Sequence, residues 1–112
     1  MFKTYSATIY CGLRQGYFNK LHPLDEARQI VQDYVNKVGL GVSFTQTEFL
    51  YTNGSEPGIM VGLINYPRFP SSEEEIKKRA VYLAQILMQS LEQERVSVVC
   101  SDETIMLEKN NV

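Results

Sequence analysis

Residues 59–91 read IMVGLINYPRFPSSEEEIKKRAVYLAQILMQSL, an apolar run followed by an amphipathic one. Apart from one glycine and one asparagine, residues 59–66 are apolar, which predicts a central strand covered on both faces. A helix should begin next to Ser72, because Ser72 and Glu75 stand at capping-box spacing. Apolar residues then recur at helical spacing at Ile76, Ala80, Leu83, Ala84, Leu87 and Leu91.

The same helix has further apolar residues outside that stripe. Val81, Ile86 and Met88 widen its apolar surface beyond what one sheet needs, which predicts contact with another subunit. Three pairs of opposite charge at spacing i,i+4 favour the helix further: Glu73 with Lys77, Glu74 with Lys78, and Glu75 with Arg79.

Upstream of this stretch the pattern predicts a strand and a second helix. Residues 4–11 alternate between apolar and polar side chains, as a half-buried strand does. Apolar residues from Leu24 to Val38 recur at helical spacing, after Pro23 at a first-turn position and before a stop at Gly39.

The remaining segments predict three more strands. Residues 42–51 are rich in Thr, Phe and Val, and a slip in alternation between Phe44 and Phe49 predicts a bulge. Asn53-Gly54 is a hairpin signal, and short strands follow at 96–100 and 104–107. This order predicts a ferredoxin-like α+β sandwich, βαββαβ, as a single domain over the whole chain. We expect an antiparallel sheet in the order 4-1-3-2, two helices on one face, and a short extra C-terminal strand.

The composition excludes several classes of function. A net charge of -2 argues against a partner such as duplex nucleic acid, which needs a basic face. Residues 1–8 are not a continuous apolar run, so we predict no membrane segment and a cytoplasmic location. Cys11 and Cys100 lack metal-binding spacing and should be buried free thiols, and His22 is the only histidine. We therefore predict neither a metal site nor a cofactor.

The first candidate binding loop is 12–20, GLRQGYFNK. Arg14 and Lys20 offer positive charge to a phosphate or carboxylate, and Tyr17 or Phe18 offers a stacking face. Its two glycines allow the backbone to approach a ligand. The alternative is an ordinary loop, with Tyr17 and Phe18 packed over the end of the helix.

The second candidate loop is 65–72, NYPRFPSS, which leads into a helix N-terminus. Its candidate ligand-binding residues are Tyr66, Arg68, Phe69, Ser71 and Ser72. The alternative is a plain connector, in which Phe69 packs on the helix and Arg68 stays solvated.

In the predicted topology the two loops leave opposite edges of the sheet. The first should lie beside the hairpin and the turn before Arg95, and the second beside Gly39–Gly41 and Asp102. A ligand that touches both loops would therefore need two subunits. Tyr51 and Glu56 in the hairpin are candidates for an acid/base pair, although a solvated surface role is the alternative for Glu56.

The βαββαβ pattern with a broad second-helix surface resembles the PII-like group of small oligomeric proteins, commonly trimers that hold nucleotides between subunits. The hairpin at 52–57 is much shorter than the long loop of PII signalling proteins. Two phage-encoded groups are also similar in general character. One is the S-adenosylmethionine lyases, and the other is the oligomeric sponges that sequester nucleotide immune signals. Because this resemblance rests on topology, it transfers no catalytic residue.

Three hypotheses follow. The first is a homo-oligomer, similar to a phage anti-defence sponge, that sequesters a small anionic nucleotide-like ligand between subunits without catalysis. Arg14 and Arg68 would contact its phosphate, and Tyr17, Tyr66 or Phe69 would stack on its base. The second is a lyase acting on S-adenosylmethionine, tested first at Tyr51 and Glu56. The third is an oligomeric protein-interaction module. The lack of a recognisable catalytic motif favours binding over catalysis, and the sequence leaves ligand and subunit number open.

Overall fold

The computed structural model describes residues 4–15, 20–66, 68 and 70–109. Its elements, in chain order, are β1 (Ser6–Gly12), α1 (Leu24–Val38), β2 (Ser43–Tyr51), β3 (Gly54–Ile64), α2 (Glu73–Ser90), β4 (Arg95–Cys100) and β5 (Thr104–Glu108). The strands form an antiparallel sheet in the order β2-β3-β1-β4-β5. The predicted 4-1-3-2 order is therefore confirmed, with β5 added beside β4, and so is the ferredoxin-like α+β fold.

The sheet has one face against the helices and one open face. Along β1, Ala7, Ile9 and Cys11 are buried, whereas Thr8 and Tyr10 between them are only half-buried. The buried set joins a core that includes Ala27 and Val31 of α1 and Ile76, Ala80, Leu83, Ala84 and Leu87 of α2. Within the described part of the chain, both helices pack on this face of the sheet, and no helix covers the other face. The apolar run at 59–66 predicts cover on the second face as well, and the described residues do not supply it.

The hairpin of β2 and β3 differs from the prediction. Pairing with β3 is continuous along the whole of β2, so the predicted bulge between Phe44 and Phe49 is wrong. Strand β3 begins at Gly54 rather than at Ile59. The hairpin extends beyond the end of β1, where neither of its faces packs on the core, so alternation there gives no guide to the strand's limits.

The end of α1 and the start of α2 lie where the sequence predicts. Gly39 ends α1 in the left-handed region at φ 72°, and Pro23 occupies the N-cap position of that helix. At the start of α2, Ser72 Oγ accepts the Glu75 N–H at 3.1 Å and donates to Glu75 Oε1 at 3.3 Å. The predicted cap is confirmed, with the Glu75 carboxylate bound to the Ser72 hydroxyl.

Ser72→Ala should lower the free energy of unfolding by about 0.5–2 kcal/mol, because it removes the acceptor of the Glu75 N–H. The measurement is urea denaturation followed by circular dichroism. Ser90→Ala, at the other end of α2, is the matched control and should have a smaller effect. Equal losses in the two variants would mean that the cap contributes no specific stability.

Asp102 ties the turn between β4 and β5 to Tyr5, the residue before β1, and to α2. Tyr5 Oη donates to Asp102 Oδ1 at 3.0 Å, and Lys77 Nζ donates to Asp102 Oδ2 at 3.1 Å and to Glu103 Oε2 at 2.9 Å. The hydrogen bond from Lys77, followed by the one from Tyr5, lowers the pKa of Asp102. The predicted pair Glu75–Arg79 is also present, at 3.4 Å.

Asp102→Asn should lower the melting temperature at pH 7, and this difference should shrink as the pH falls below about 4. A carboxyl group whose pKa is lowered by folding stabilises the fold above its ordinary pKa and loses that contribution as the pH falls through the folded-state value. Thermal unfolding at several pH values measures this difference in melting temperature. Glu48→Gln, at an exposed position, is the control. A difference that is as large at pH 2 as at pH 7 would contradict the role of this ion pair.

The surplus apolar surface of α2 is partly used within the chain. Ile86 and Met88 pack against the core, whereas Tyr82 is 54% exposed and stacks on Tyr34 with ring centroids 5.8 Å apart. A subunit contact on α2 therefore remains a prediction. The exposed apolar surface that supports it is smaller than the sequence indicates. Side chains that are at least 39% exposed also lie on the open sheet face, at Ile64, Val99 and Met106.

The predicted thiols are confirmed: Cys11 and Cys100 are both buried and free. Of the helices in the described residues, none is long and apolar enough to cross a membrane.

Candidate functional site

The described parts of the two candidate loops, residues 12–15 and 20 of the first and residues 65, 66, 68 and 70–72 of the second, lie at opposite edges of the sheet, as predicted. Arg14 Nη2, in the first loop, donates to the Ser55 carbonyl of the hairpin at 3.3 Å. In the second loop, the ring of Tyr66 lies beside Gly41, between α1 and β2. Within one chain the two loops thus form two separate sites.

The first site centres on two glycines that face each other across β1 and β3, Gly12 and Gly58. Above Gly12, Glu56 Oε2 and Gln93 Oε1 lie 3.1 Å and 3.0 Å from the place that a Cβ at Gly12 would occupy. Gln93 is held there because its Nε2 donates to the carbonyls of Arg14 and Leu91, each at 2.8 Å. We call this surface the Gly12 edge. It comprises Gly12, Glu56 and Gln93, together with His22 and the two carboxylates beside it, Glu26 and Glu92.

Two more carboxylates flank His22 at this edge. His22 is 8% exposed, and its Nδ1 is hydrogen-bonded to Glu26. Its Nε2 lies 3.2 Å from Glu92 Oε1 without the geometry of a hydrogen bond. Glu92 instead accepts a bond from Gln15 Nε2 at 2.8 Å. The first loop is thereby attached to the start of α1 and to the turn before β4.

The negative charge of Glu56 affects the pKa of a neighbouring thiol, that of Cys11. Burial raises the pKa of the Cys11 thiol to about 12, and the negative charge of Glu56 adds to the shift. Aromatic side chains stand on the same open face, since Tyr10 and Phe49 have ring centroids 6.3 Å apart and the Phe49 ring covers Gly58. The Gly12 edge therefore combines negative charge, an amide oxygen and an aromatic surface.

The second site is a cavity of about 790 Å³, which we call the Arg79 pocket. It is lined by Gly39, Leu40, Gly41, Leu63, Ile64, Tyr66, Arg68, Pro70, Ser71, Glu75, Ile76 and Arg79. Arg79 Nη1 lies 3.5 Å from Ser71 Oγ, and Arg79 Nη2 lies 3.4 Å from Glu75 Oε2. Ser71 is itself fixed, because its N–H donates to Asn65 Oδ1 at 2.9 Å.

The structure distributes the predicted ligand-binding residues over both sites. Tyr66, Arg68 and Ser71 line the Arg79 pocket, and Ser72 caps α2. Arg14 is at the Gly12 edge, and Lys20 is exposed at the end of the first loop. Tyr17 and Phe69 lie outside the described residues.

The predicted acid/base pair, Tyr51 and Glu56, occupies diagonal positions on one face of the hairpin. The Tyr51 ring lies over Gly54, its partner in the ladder, whereas Glu56 pairs with Phe49 and points toward Gly12. Both side chains are on the open face, so a ligand on that face can still reach each of them.

Sequence reasoning missed Gln93, Phe49 and Arg79 as site residues. The alternation along β2 places Phe49 on the open face and offered a signal for that residue. Gln93 and Arg79 carried none, because each reaches its site through contacts with distant segments. In the described residues, groups of three or more His, Cys, Asp or Glu side chains placed to hold a metal ion are absent.

Neither a protein-family model nor a curated protein matches this sequence. Two solved structures match the fold over nearly its whole length. A phage SAM lyase in complex with S-methyl-5′-thioadenosine is 16% identical, with a TM-score of 0.81 over 97% of this chain and 92% of that chain. A phage SAM lyase in the apo state is 17% identical, with a TM-score of 0.73 over 96% and 91%.

Proposed function

We propose that the protein binds S-adenosylmethionine at the Gly12 edge and cleaves it to S-methyl-5′-thioadenosine. The observation that carries this proposal is the likeness of fold, over 97% of the chain, to a SAM lyase that holds this nucleoside. One fold can host many functions, so the chemistry of the site has to be argued separately. The charges at the Gly12 edge therefore provide a second argument.

S-Adenosylmethionine has a net positive charge, from its sulfonium and ammonium groups and one carboxylate. The Gly12 edge presents the carboxylates of Glu26, Glu56 and Glu92. These carboxylates outnumber the two cations of the first loop, Arg14 and Lys20, so the edge favours a ligand that carries positive charge together with one carboxylate. The charge at this edge therefore supports the lyase hypothesis over sequestration of an anion.

Cleavage demands little of the protein. The bonding pair of the broken C–S bond goes to sulfur, which becomes the neutral thioether of S-methyl-5′-thioadenosine. The carbon fragment compensates either by bonding to its own carboxylate oxygen or by losing a proton to a nearby base. Positioning is sufficient for the first route, and Glu56 or Tyr51 is the base that we propose for the second. Neither route needs an activated protein nucleophile.

The first loop supplies the remaining contacts in this proposal. Arg14 and Lys20 would pair with the carboxylate of the amino-acid end, and Tyr17 or Phe49 would stack on the adenine. A homo-oligomer, a phage source and action in the cytoplasm also belong to this proposal. The exposed apolar side chains of the open sheet face support a subunit contact there, and mass measurement in solution tests it.

The test is incubation of a nucleotide panel, including cyclic signals and S-adenosylmethionine, with stoichiometric protein, followed by filtration, heat release and chromatography. We expect S-adenosylmethionine to be converted and the anionic nucleotides to be recovered unchanged. Depletion of a nucleotide with intact recovery from the retained fraction would replace the lyase with a sponge. A panel left entirely in the filtrate would favour the protein-interaction module.

A further inference from the structure

The Arg79 pocket lies at the far end of the sheet from the Gly12 edge. At one end of β1, Ser6 pairs with Ile64 of the pocket wall, and at the other end Gly12 pairs with Gly58. At a rise of about 3.3 Å per residue, these ends of β1 are roughly 20 Å apart. The pocket is therefore separate, within one protomer, from the site proposed for S-adenosylmethionine.

The pocket has the size and the lining of a small-molecule site. Its volume of about 790 Å³ lies in the range that nucleotide-sized ligands occupy. Ile64 in its wall is 48% exposed and offers an apolar surface, and Tyr66, which is 37% exposed, offers an aromatic one. An apolar or aromatic body thus has a surface to pack on.

The polar groups of the pocket favour an anion. Two of its lining residues are cationic, Arg68 and Arg79, and one is anionic, Glu75. Arg79 is oriented by Ser71 and Glu75, yet both contacts are long, at 3.5 Å and 3.4 Å. A phosphate or carboxylate can make shorter, charge-assisted bonds to the same planar group.

We propose that the Arg79 pocket is a second ligand site, which binds a nucleotide-sized aromatic anion through Arg79 and Arg68 and packs its ring against Tyr66. The three residues named belong to one subunit, and the proposal does not depend on the lyase activity. Its preference for charge is opposite to that of the Gly12 edge, so the two sites select different ligands.

Adenosine 5′-monophosphate is the probe, with adenosine as its uncharged match, and binding is measured by titration calorimetry. We expect saturable binding of the monophosphate, and binding of adenosine at this site about 10-fold weaker or more. Arg79→Met should weaken the binding of the monophosphate about 10- to 100-fold. Arg79→Lys should weaken it less, because lysine keeps the positive charge. Arg28→Met, which removes an exposed arginine of α1, is the matched control and should change affinity by less than about twofold.

Thermal unfolding of each variant separates lost binding from lost folding, and Arg68→Met provides a second test if Arg79→Met does not fold. Saturating S-methyl-5′-thioadenosine should leave binding of the monophosphate unchanged, since we place the two ligands at opposite edges. Displacement of one by the other, equal affinity for the monophosphate and adenosine, or unchanged affinity in folded Arg79→Met would each overturn the proposal. Failure of the lyase assay alone would not affect it.

Discussion

Glu56→Gln should weaken the binding of S-adenosylmethionine by about 10- to 100-fold and leave the binding of S-methyl-5′-thioadenosine within about twofold. The first ligand carries a sulfonium and an ammonium group that the neutral second ligand lacks, so the pair isolates the effect of a carboxylate near the cationic part of the substrate. A charge-assisted contact of this kind contributes about 1.5–3 kcal/mol, which corresponds to the expected loss. Titration calorimetry with both ligands measures it.

The matched control is Glu48→Gln, in the same hairpin. Glu48 is exposed and pairs with Pro57, so its side chain projects from the face of the hairpin opposite to that of Glu56. Its loss should leave both affinities unchanged. Equal weakening of cation and thioether by Glu56→Gln would mean that this residue shapes the site without recognising the charge of the sulfonium.

Gly58→Ala should lower the free energy of unfolding by about 1–3 kcal/mol, the usual cost of overpacking. A Cβ at this position would lie 2.8 Å from the Cys11 carbonyl oxygen and inside the space of the Phe49 ring. Phe49 can rotate away, but the carbonyl belongs to the paired strand β1 and cannot move without disturbing the ladder. Chemical denaturation measures the loss, and movement of Phe49 should also weaken substrate binding at the Gly12 edge.

Gly41→Ala is the control for this substitution. The nearest atom to a Cβ at Gly41 is Tyr66 Cε2 at 3.9 Å, an ordinary contact distance. We therefore expect little change in stability. If Gly58→Ala were as stable as Gly41→Ala, the close approach of β1, β3 and Phe49 at the Gly12 edge would be contradicted.

Local patterns were sufficient to predict most of the fold. The apolar run at 59–66, the cap at Ser72 and the stop at Gly39 depend on neighbouring residues, and they are confirmed as the core of β3 and the ends of the helices. The pattern failed in the hairpin, where β3 begins at Gly54. The outer part of this hairpin lies beyond the end of β1, so burial does not impose an alternation of apolar and polar residues there.

The sites were harder to predict because their residues meet through tertiary contacts. Gln93 reaches the Gly12 edge by bonding to the carbonyl of Arg14, which is distant in sequence. The sequence predicts an ion pair of Arg79 with Glu75 on α2, which is present, yet Arg79 also lines a cavity. The sequence showed the charge of each loop and could not show which side chains converge.

The most direct test of the central claim is a time course of S-methyl-5′-thioadenosine released from excess S-adenosylmethionine, expressed per protomer. We predict that release continues well beyond one equivalent per protomer and that Glu56→Gln slows it, whereas Glu48→Gln does not. Release that never exceeds one equivalent, or binding of S-adenosylmethionine with no product at all, would contradict the proposed lyase.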